Sequence, residues 1–406
     1  MAYHRTQLAD EMAQQILHPR GLDTQLQAGV FLSGPRRIGK TTFVRQDLIP
    51  ALQKKGAIVV YADLWSQALA NPADLVTMAV QQTVGELQTP ASDLFERVSR
   101  HLKRVSSIDM GAAGFKFGFK LDQIGKTSGP TLAKVFTELV ERTHANVVLI
   151  IDEIQHALGS ATGNELLLAL KAARDAVNLS PNMPGRLYII GTGSHRAQVQ
   201  EMVIRGNQAF QGAVSQPFPL LGEDYVADVL AQTHEQLGAR SPSLAAALNA
   251  FQQLGSRPEE LLKALVSLRD SPSDLGPDTQ LPIIVQALRQ SAADLEITRV
   301  EGLGDLAIAV FNRICQSDAP AGGLYSAEAN KVLAAEVGTP VSQSAVQNAL
   351  LSLTDANLVM AVGNGKYDAT DPFVKTAWRE SRGLASAMGI DIATPARKRG
   401  SKRGQQ

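Results

Sequence analysis

The sequence predicts an α/β fold built on a mainly parallel sheet, followed by an all-helical region and then a region of helices with one hairpin. Three observations carry this. Gly34–Thr41 spells G-x-x-x-x-G-K-T between a short apolar run and a helical pattern. Val147–Ile151 is a β-branched apolar run, the pattern of a central parallel strand covered on both faces, and it ends in Asp152-Glu153. Apolar strand-like runs alternate with helical ones as far as Gly191, which is the rhythm of βα units.

The first element is the glycine-rich turn. Val30-Phe31-Leu32 reads as a buried strand, and Thr41-Thr42-Phe43-Val44-Arg45 opens a helix. Strand, turn and helix N-terminus make a phosphate cradle, because the turn's N–H groups face inward and the helix dipole favours an anion. Gly34, Pro35, Arg36, Arg37, Ile38, Gly39, Lys40, Thr41 and Thr42 are the expected nucleotide contacts. Lys40 is placed to reach the β and γ phosphates, and the Thr41 hydroxyl to hold Mg²⁺. The glycines keep side chains out of the way where backbone approaches phosphate.

The second half of the site follows about a hundred residues later, within the size of one nucleotide-binding domain. Carboxylates at the C-terminal end of a parallel strand point into the crevice where ligands bind. Asp152 is expected to bind Mg²⁺ beside Thr41, directly or through water. Glu153 is expected to orient the attacking water. Together the two motifs are the pattern of a P-loop nucleoside triphosphatase using ATP and Mg²⁺.

Composition sets bounds. The 406 residues are enough for two or three domains with real cores. Lys and Arg number 39, as do Asp and Glu, so no global field draws the molecule to nucleic acid or membrane. The one cysteine, Cys315, follows an apolar helical run and reads as a small core residue. A chain with no disulfide framework suits a reducing cytoplasm. The N-terminus has acids and glutamines before any apolar run, unlike a signal peptide, and no run suggests a membrane span.

Further elements follow in order. Residues 7–17 read as an amphipathic helix, and Ala57–Asp63 as a second strand with an acid at its end. Asp63 fits a turn or capping role better than a metal role. Residues 72–104 look helical. Phe115–Asp122 then alternates apolar and polar residues with period two, which signals a half-buried strand and suggests a β-hairpin insertion over 105–130. Its three phenylalanines suit packing on the domain, or a wedge against a partner or DNA. Helices are expected over 132–142 and 165–177, and a strand over Leu187–Gly191. Strand signals stop from 222 to about 291. Helices are then expected over 306–314, 326–337 and 342–356, with Ser342 as N-cap, and Leu358–Asp368 reads as a β-hairpin. Three helices and a hairpin make a winged helix-turn-helix. The last residues are basic, with Arg397, Lys398, Arg399, Lys402 and Arg403 set among Gly, Ser and Gln. They read as a disordered tail, either solvated or able to touch DNA or another acidic surface.

With these elements in place, residues 7–385 resemble an AAA+ ATPase of the origin-recognition/archaeal-ATPase type, a group that borders the STAND signalling ATPases. Ile190-Gly191-Thr192-Gly193-Ser194-His195 is similar to the strand and turn that hold the family's sensor 1. The resemblance implies that Ser194 meets the γ-phosphate or the attacking water. Gly255-Ser256-Arg257-Pro258-Glu259-Glu260-Leu261 is similar to the sensor 2 motif that begins a lid helix, which implies Arg257 on the phosphates. Read from local pattern alone, Ser194 also fits a helix cap, and Arg257 a surface arginine before a helix-N1 proline. Tyr367–Phe373 resembles the segment closing the family's winged helix. The chain departs from the group in one respect. The arginine often used across a subunit boundary has only Arg196 and Arg205 as candidates, and neither sits clearly at the expected place.

The expected organisation is a nucleotide-binding core over 1–219, a helical lid over 220–300, a winged helix over 301–385 and a basic tail over 386–406. The expected catalytic set is Glu153, Lys40, Ser194 and Arg257, with Thr41 and Asp152 for the metal. The third helix of the winged region offers Ser342, Gln343, Ser344, Gln347 and Asn348, which can hydrogen-bond base edges, but it has no Lys or Arg for phosphates. Lys331, Lys366 and the tail supply cations nearby. The leading expectation is an ATP-driven switch acting on duplex DNA. The alternative is a STAND-like signalling ATPase whose winged helix binds a protein partner or holds the ADP state shut. A third is a scaffold that binds nucleotide but hardly hydrolyses it, against which Glu153 argues. Homo-oligomerisation is compatible with all three.

Overall fold

The computed structural model describes residues 3–383, apart from 68–69, 107–113, 159–160, 195–198, 201, 204–208, 272, 357 and 364. The chain divides into two compact units. One comprises Met1–Ser291 with Met360–Gly363, and the other comprises Ala292–Val359 and the chain from Asn364 onward.

The first unit is built on a five-stranded sheet of order β2-β3-β4-β1-β5, with every pairing parallel. The strands are β1 (Val30–Ser33), β2 (Ile58–Asp63), β3 (Val147–Asp152), β4 (Leu187–Gly193) and β5 (Val214–Pro217). Every residue of β3 and β4 is buried, as central strands covered on both faces require. β2 lies at the sheet edge and alternates buried with half-buried residues. One apolar layer joins Phe31, Val60, Leu149, Ile151 and Ile189 to α4 (Pro72–Gln88), α5 (Asp93–Ser106), α6 (Leu132–Thr143) and α7 (Ala161–Asn178). The opposite layer joins Val30, Leu32, Val148 and Ile150 to α1 (Thr6–Leu17) and the helix that follows the glycine-rich turn. That helix starts as α2 (Lys40–Phe43), passes through a π-helical turn at Val44–Leu48, and continues as α3 (Ile49–Lys54).

The expected β-hairpin over 105–130 is corrected. Residues 107–113 lie outside the described ones, and among those described 114–120 form no strand. The period-two alternation is real: Phe115 is buried, Phe117 and Phe119 half-buried, Lys116 and Lys120 exposed. The segment has other partners than a strand. The Phe115 N–H donates to the Leu87 carbonyl near the end of α4 (3.1 Å), and the Gly118 N–H to Glu138 Oε2 on α6 (2.6 Å). Phe115 meets Phe95 of α5 edge-on, with 5.7 Å between centroids, so its ring belongs to the core. An extended chain laid across helices has the same in-out pattern as a strand.

Beyond the sheet come α8 (Glu223–Leu237), α9 (Leu244–Gln253), α10 (Pro258–Asp270) and α11 (Pro277–Glu301). The two units divide at Ser291–Ala292, within α11. The first half of α11 packs Leu281 and Val285 with Leu254, Ala264 and Leu268. Its last turns pack Ile297 and Val300 with residues of the second unit.

The second unit gathers α12 (Asp305–Gln316), α13 (Ala327–Val337), α14 (Gln343–Asp355) and α15 (Pro372–Arg382). Two strands, β6 (Val359–Gly363) and β7 (Lys366–Ala369), pair in a second sheet, and Ala321 bridges Tyr367 antiparallel. The Ser342 hydroxyl caps α14 by accepting from the Ala345 N–H (3.2 Å). Phe311 meets Trp378 edge-on at 4.9 Å, and Trp378 Nε1 donates to Asn312 Oδ1 (2.7 Å), which satisfies the buried indole. Cys315 is fully buried, and burial pushes its thiol up to about 12, so it is a packing residue. The basic tail lies outside the described residues. Among the described residues no helix is long and apolar enough to cross a membrane.

Phe115→Ala should destabilise the first unit by about 3–5 kcal/mol, the usual cost of deleting a buried phenylalanine ring. Lys116→Ala should stay within about 0.5 kcal/mol, as exposed positions do. Urea titration of both variants checks this, and equal midpoints would mean that the segment does not pack as described.

Candidate functional site: a cradle at the head of the parallel sheet

The site forms at the C-terminal ends of β1, β3 and β4, where the parallel strands deliver their last residues. β1 runs into the glycine-rich turn at Gly34. Arg37 and Gly39 have left-handed backbones (φ 65° and 89°), and Gly39 is the N-cap of α2. Nothing lies within 4 Å of a Cβ built on Gly39, so the backbone conformation, rather than crowding by the protein, calls for glycine there. Lys40 is almost wholly buried, and its Nζ donates to the carbonyls of Gly34 (2.8 Å) and Pro35 (2.7 Å). Burial lowers the lysine's pKa, while Glu153 and Asp152 pull it back up.

Asp152 ends β3 and is 1% exposed. Three hydroxyls converge on it. Thr41 Oγ1 donates to Oδ2 at 2.7 Å and Tyr61 OH to the same oxygen at 2.9 Å, while Thr192 Oγ1 donates to Oδ1. The Tyr61 phenol is driven far above its ordinary value, by burial and then by the Asp152 charge, so it stays a donor. Asp63 does not join this group. Its Oδ1 accepts from the Trp65 N–H (2.8 Å), which holds the turn after β2.

Glu153 stands next, with a left-handed backbone (φ 55°). Its Oε2 accepts from the Ser194 hydroxyl (2.8 Å), the Ser194 N–H (3.2 Å) and Gln155 Nε2. Burial alone would raise the Glu153 pKa, but the hydrogen bonds from Gln155 and Ser194 and the charge of Lys40 together outweigh it and hold the carboxyl below its ordinary value. The Ser194 hydroxyl also accepts from Gln155 Nε2 (3.1 Å) and from Arg36 Nε (3.3 Å). Ser194 thus links the carboxylate at the end of β3 to a guanidinium of the glycine-rich turn. Arg36 lies over the Trp65 ring, 4.1 Å from its centroid, and Trp65 meets His156 edge-on at 4.8 Å. Burial lowers the His156 pKa, which keeps the imidazole neutral.

Two cavities flank the turn. One of about 500 Å³ is lined by Arg36, Lys40, Thr41, Trp65, Glu153 and Glu259, among others, so charged and polar side chains share its wall with apolar surface. The other, of about 170 Å³, is mostly apolar, with Ile38, Phe43, Leu221, Tyr225, Val229 and Leu262 in its wall. Thr42, Gly39 and Pro258 face both. The N-terminal segment closes the apolar cavity. Asp47, in the π-helical turn, accepts from the Arg5 N–H (3.1 Å) and pairs with His4 (2.8 Å), and Arg5 Nη1 donates to the Pro219 carbonyl (2.7 Å).

The sequence-derived residues fall as follows. Arg36, Lys40, Thr41, Asp152, Glu153 and Ser194 converge. Arg37 reaches α10, 3.9 Å from Glu260. Arg257 is the N-cap of α10, after two left-handed residues, Gly255 and Ser256, and it is the next two residues, Pro258 and Glu259, that line the polar cavity. Arg196 and Arg205 lie outside the described residues. Sequence reasoning missed Tyr61, Trp65, Gln155 and Thr192 as site residues, and the whole apolar cavity. Gln155 and Thr192 had a signal, since each lies within two residues of a motif position.

Fold and cradle together define a P-loop nucleoside triphosphatase. Residues 24–199 match the AAA domain family, which marks this part of the chain as a P-loop ATPase domain, and the chain has the fold of the origin-recognition type. The Aeropyrum pernix ORC2 protein in its ADP form is similar to it at 15% identity over 93% of this chain and 94% of that one, with a TM-score of 0.51. The same protein with ADPNP and ADP aligns at 15% identity over the same shares, with a TM-score of 0.45. The Aeropyrum pernix ORC1 protein in complex with DNA aligns at 14% identity over 95% of each chain, with a TM-score of 0.43. No curated protein matches the chain.

Because Glu153 has a lowered pKa in the folded state, its hydrogen bonds add stability that is present above the unfolded glutamate pKa and lost as pH falls through the lowered value. Ser194→Ala should therefore cost on the order of 1–2 kcal/mol at pH 7, and the gap to wild type should narrow as pH falls below the ordinary glutamate range and through the lowered value. Denaturation across a pH series checks this, and a gap that does not change with pH would refute the coupling.

Proposed function

We propose that this ATPase uses ATP and Mg²⁺ to set the state of its helical lid, and acts on duplex DNA through its winged-helix region. The observation that carries the nucleotide part is the convergence of Lys40, the Thr41–Asp152 pair and the Arg36–Ser194–Glu153 chain on one polar cavity. The triphosphate lies in the polar cavity and the base in the apolar one, across Gly39 and Thr42. Lys40 exchanges its two carbonyl partners for phosphate oxygens.

The donor set fits Mg²⁺. Thr41 Oγ1 and Asp152 Oδ2 are hard oxygens 2.7 Å apart, close to the separation of adjacent ligands in an octahedron with bonds of about 2.0–2.1 Å. Bound there, Mg²⁺ would neutralise charge on the β and γ phosphates. Glu153 orients the water that attacks the γ-phosphorus. The bond to the β-phosphate oxygen breaks, releasing ADP and inorganic phosphate. Arg36 supplies a cation to the γ-phosphate side from within the same chain, steadied by Trp65. Ser194 binds both Arg36 and Glu153, so γ-phosphate contact at one is felt at the other. The lid meets the site through Pro258, Glu259 and the Arg37–Glu260 pair, with Arg257 as the lid cation for the phosphates.

The DNA part rests on α14, whose Gln343, Gln347 and Asn348 are exposed, and on Lys331 and Lys366, exposed on α13 and β7. These provide base-edge hydrogen bonds and phosphate cations respectively. ORC1 of Aeropyrum pernix, similar in outline, is described in complex with DNA. A cytoplasmic setting suits these partners.

Lys40→Ala should weaken ATP binding at least tenfold by calorimetry. Glu153→Gln should bind ATP but hydrolyse it about 10²-fold or more slowly. Wild-type turnover in Glu153→Gln would refute the assignment of the water-orienting group.

Lys366→Ala should flatten the dependence of log affinity for duplex DNA on log salt by about 0.9, one phosphate contact. Gln347→Ala should alter sequence preference with little effect on that slope. Fluorescence anisotropy across a salt series reads both, and no duplex binding even at about 50 mM salt with an ATP analogue present would turn the reading toward the signalling alternative.

A further inference from the structure

A second concave site lies at the other end of the sheet from the nucleotide cradle. It is a cavity of about 300 Å³ formed where the turn between α3 and β2 meets α5. Six of its lining residues are basic: Lys54, Lys55, Arg97, Arg100, His101 and Arg104. None of the lining residues is Asp or Glu. Since β2 spans Ile58–Asp63, its first and last residues are separated by about 15–20 Å at the strand rise per residue. An anion bound here is therefore not the nucleotide of the cradle.

The wall is built. Gly56 has a left-handed backbone (φ 86°), and a Cβ on it would stand 2.6 Å from the His101 ring, so the turn is shaped to receive the imidazole. Leu94, Phe95, Val98 and Leu102 bury the opposite face of α5 in the core. Arg97, Arg100, His101 and Arg104 follow i, i+3, i+4, i+7 spacing, one stripe of the helix. Arg97 Nε is buried with no hydrogen-bond partner, an unsatisfied donor of the kind that calls for an acceptor. Burial lowers the Arg97 pKa, and Asp93 and Glu86 are the acids that bear on it from α5 and α4. Lys55 Nζ is held by Gln14 Oε1 (3.0 Å), while Lys54, Arg100 and Arg104 are exposed.

We propose that this groove binds successive phosphates of a nucleic-acid backbone. From Arg97 to Arg104 the helix rises about 10 Å, enough to meet about two successive phosphates of one strand. The stripe lacks the planar or apolar surface that would read a base, so binding here is independent of sequence. The inference rests on the DNA reading above only for its class of ligand, and it uses a different surface.

The test compares full-length wild type, Arg100→Glu/Arg104→Glu and Lys366→Ala by anisotropy with a labelled duplex from about 50 to 200 mM salt, with poly-glutamate as competitor. Both arginines are exposed and outside the ATPase site, so basal ATP turnover should remain at the wild-type level and report intact folding. The double variant should bind the duplex at least tenfold more weakly at low salt, with the slope flattened by about 1.8 for two lost phosphate contacts. Unchanged affinity and slope, with Lys366→Ala alone impaired, would overturn this proposal and leave the winged-helix reading standing. No duplex binding by wild type at about 50 mM salt would overturn both. Poly-glutamate displacing duplex as well as unlabelled DNA does would overturn the nucleic-acid assignment in favour of an acidic protein segment.

Discussion

The Asp152 carboxylate is the knot of the nucleotide-binding unit. A buried charge is costly unless hydrogen bonds meet it, and here three hydroxyls do so. Tyr61 comes from β2, Thr192 from β4 and Thr41 from the helix after the glycine-rich turn, so one anion ties two neighbouring strands and the phosphate-binding helix to the end of β3. The geometry of the cradle depends on that convergence. Thr41 is fixed in place by its bond to Asp152. Glu153 has a separate set of partners, Ser194 and Gln155.

A second layer of polar bonds sits beside this knot and is less rigid in kind. Glu153, Ser194, Gln155 and Arg36 make a chain of side chains from three segments. α10 meets the glycine-rich turn through the Arg37–Glu260 pair, while Lys263 pairs with Glu259 and Glu260 within α10 itself. Such exposed pairs contribute little stability and can re-form in another geometry at small cost.

Much of this was legible in the sequence because it depends on short-range pattern. The β-branched run before Asp152 declares a strand buried on both faces, and the glycine-rich turn brings its strand and helix with it. The hairpin expected around Phe115 was wrong for an equally physical reason. Alternation reports an extended chain with one face buried, and cannot tell a partner strand from the helix ends and Glu138 that bind this segment. Tyr61, Trp65 and the apolar cavity were not legible, since Tyr3, Phe43, Tyr225 and Leu262 come from four separate parts of the chain. Arg257 shows the limit of motif transfer. Its neighbours Pro258 and Glu259 line the cavity, while it occupies the helix cap that the motif's proline and two left-handed residues impose.

The chain contains two tryptophans, and their settings differ sharply. Trp65 is 45% exposed beneath the Arg36 guanidinium at the edge of the polar cavity, whereas Trp378 is fully buried against Phe311 in the second unit. The molecule therefore has a native optical probe in each unit. The wet indole should emit at longer wavelength and be open to a soluble quencher, and the dry one should emit at shorter wavelength and be shielded from it. Events at the phosphate side and loosening of the second core would thus register as separate spectral components of one unlabelled protein.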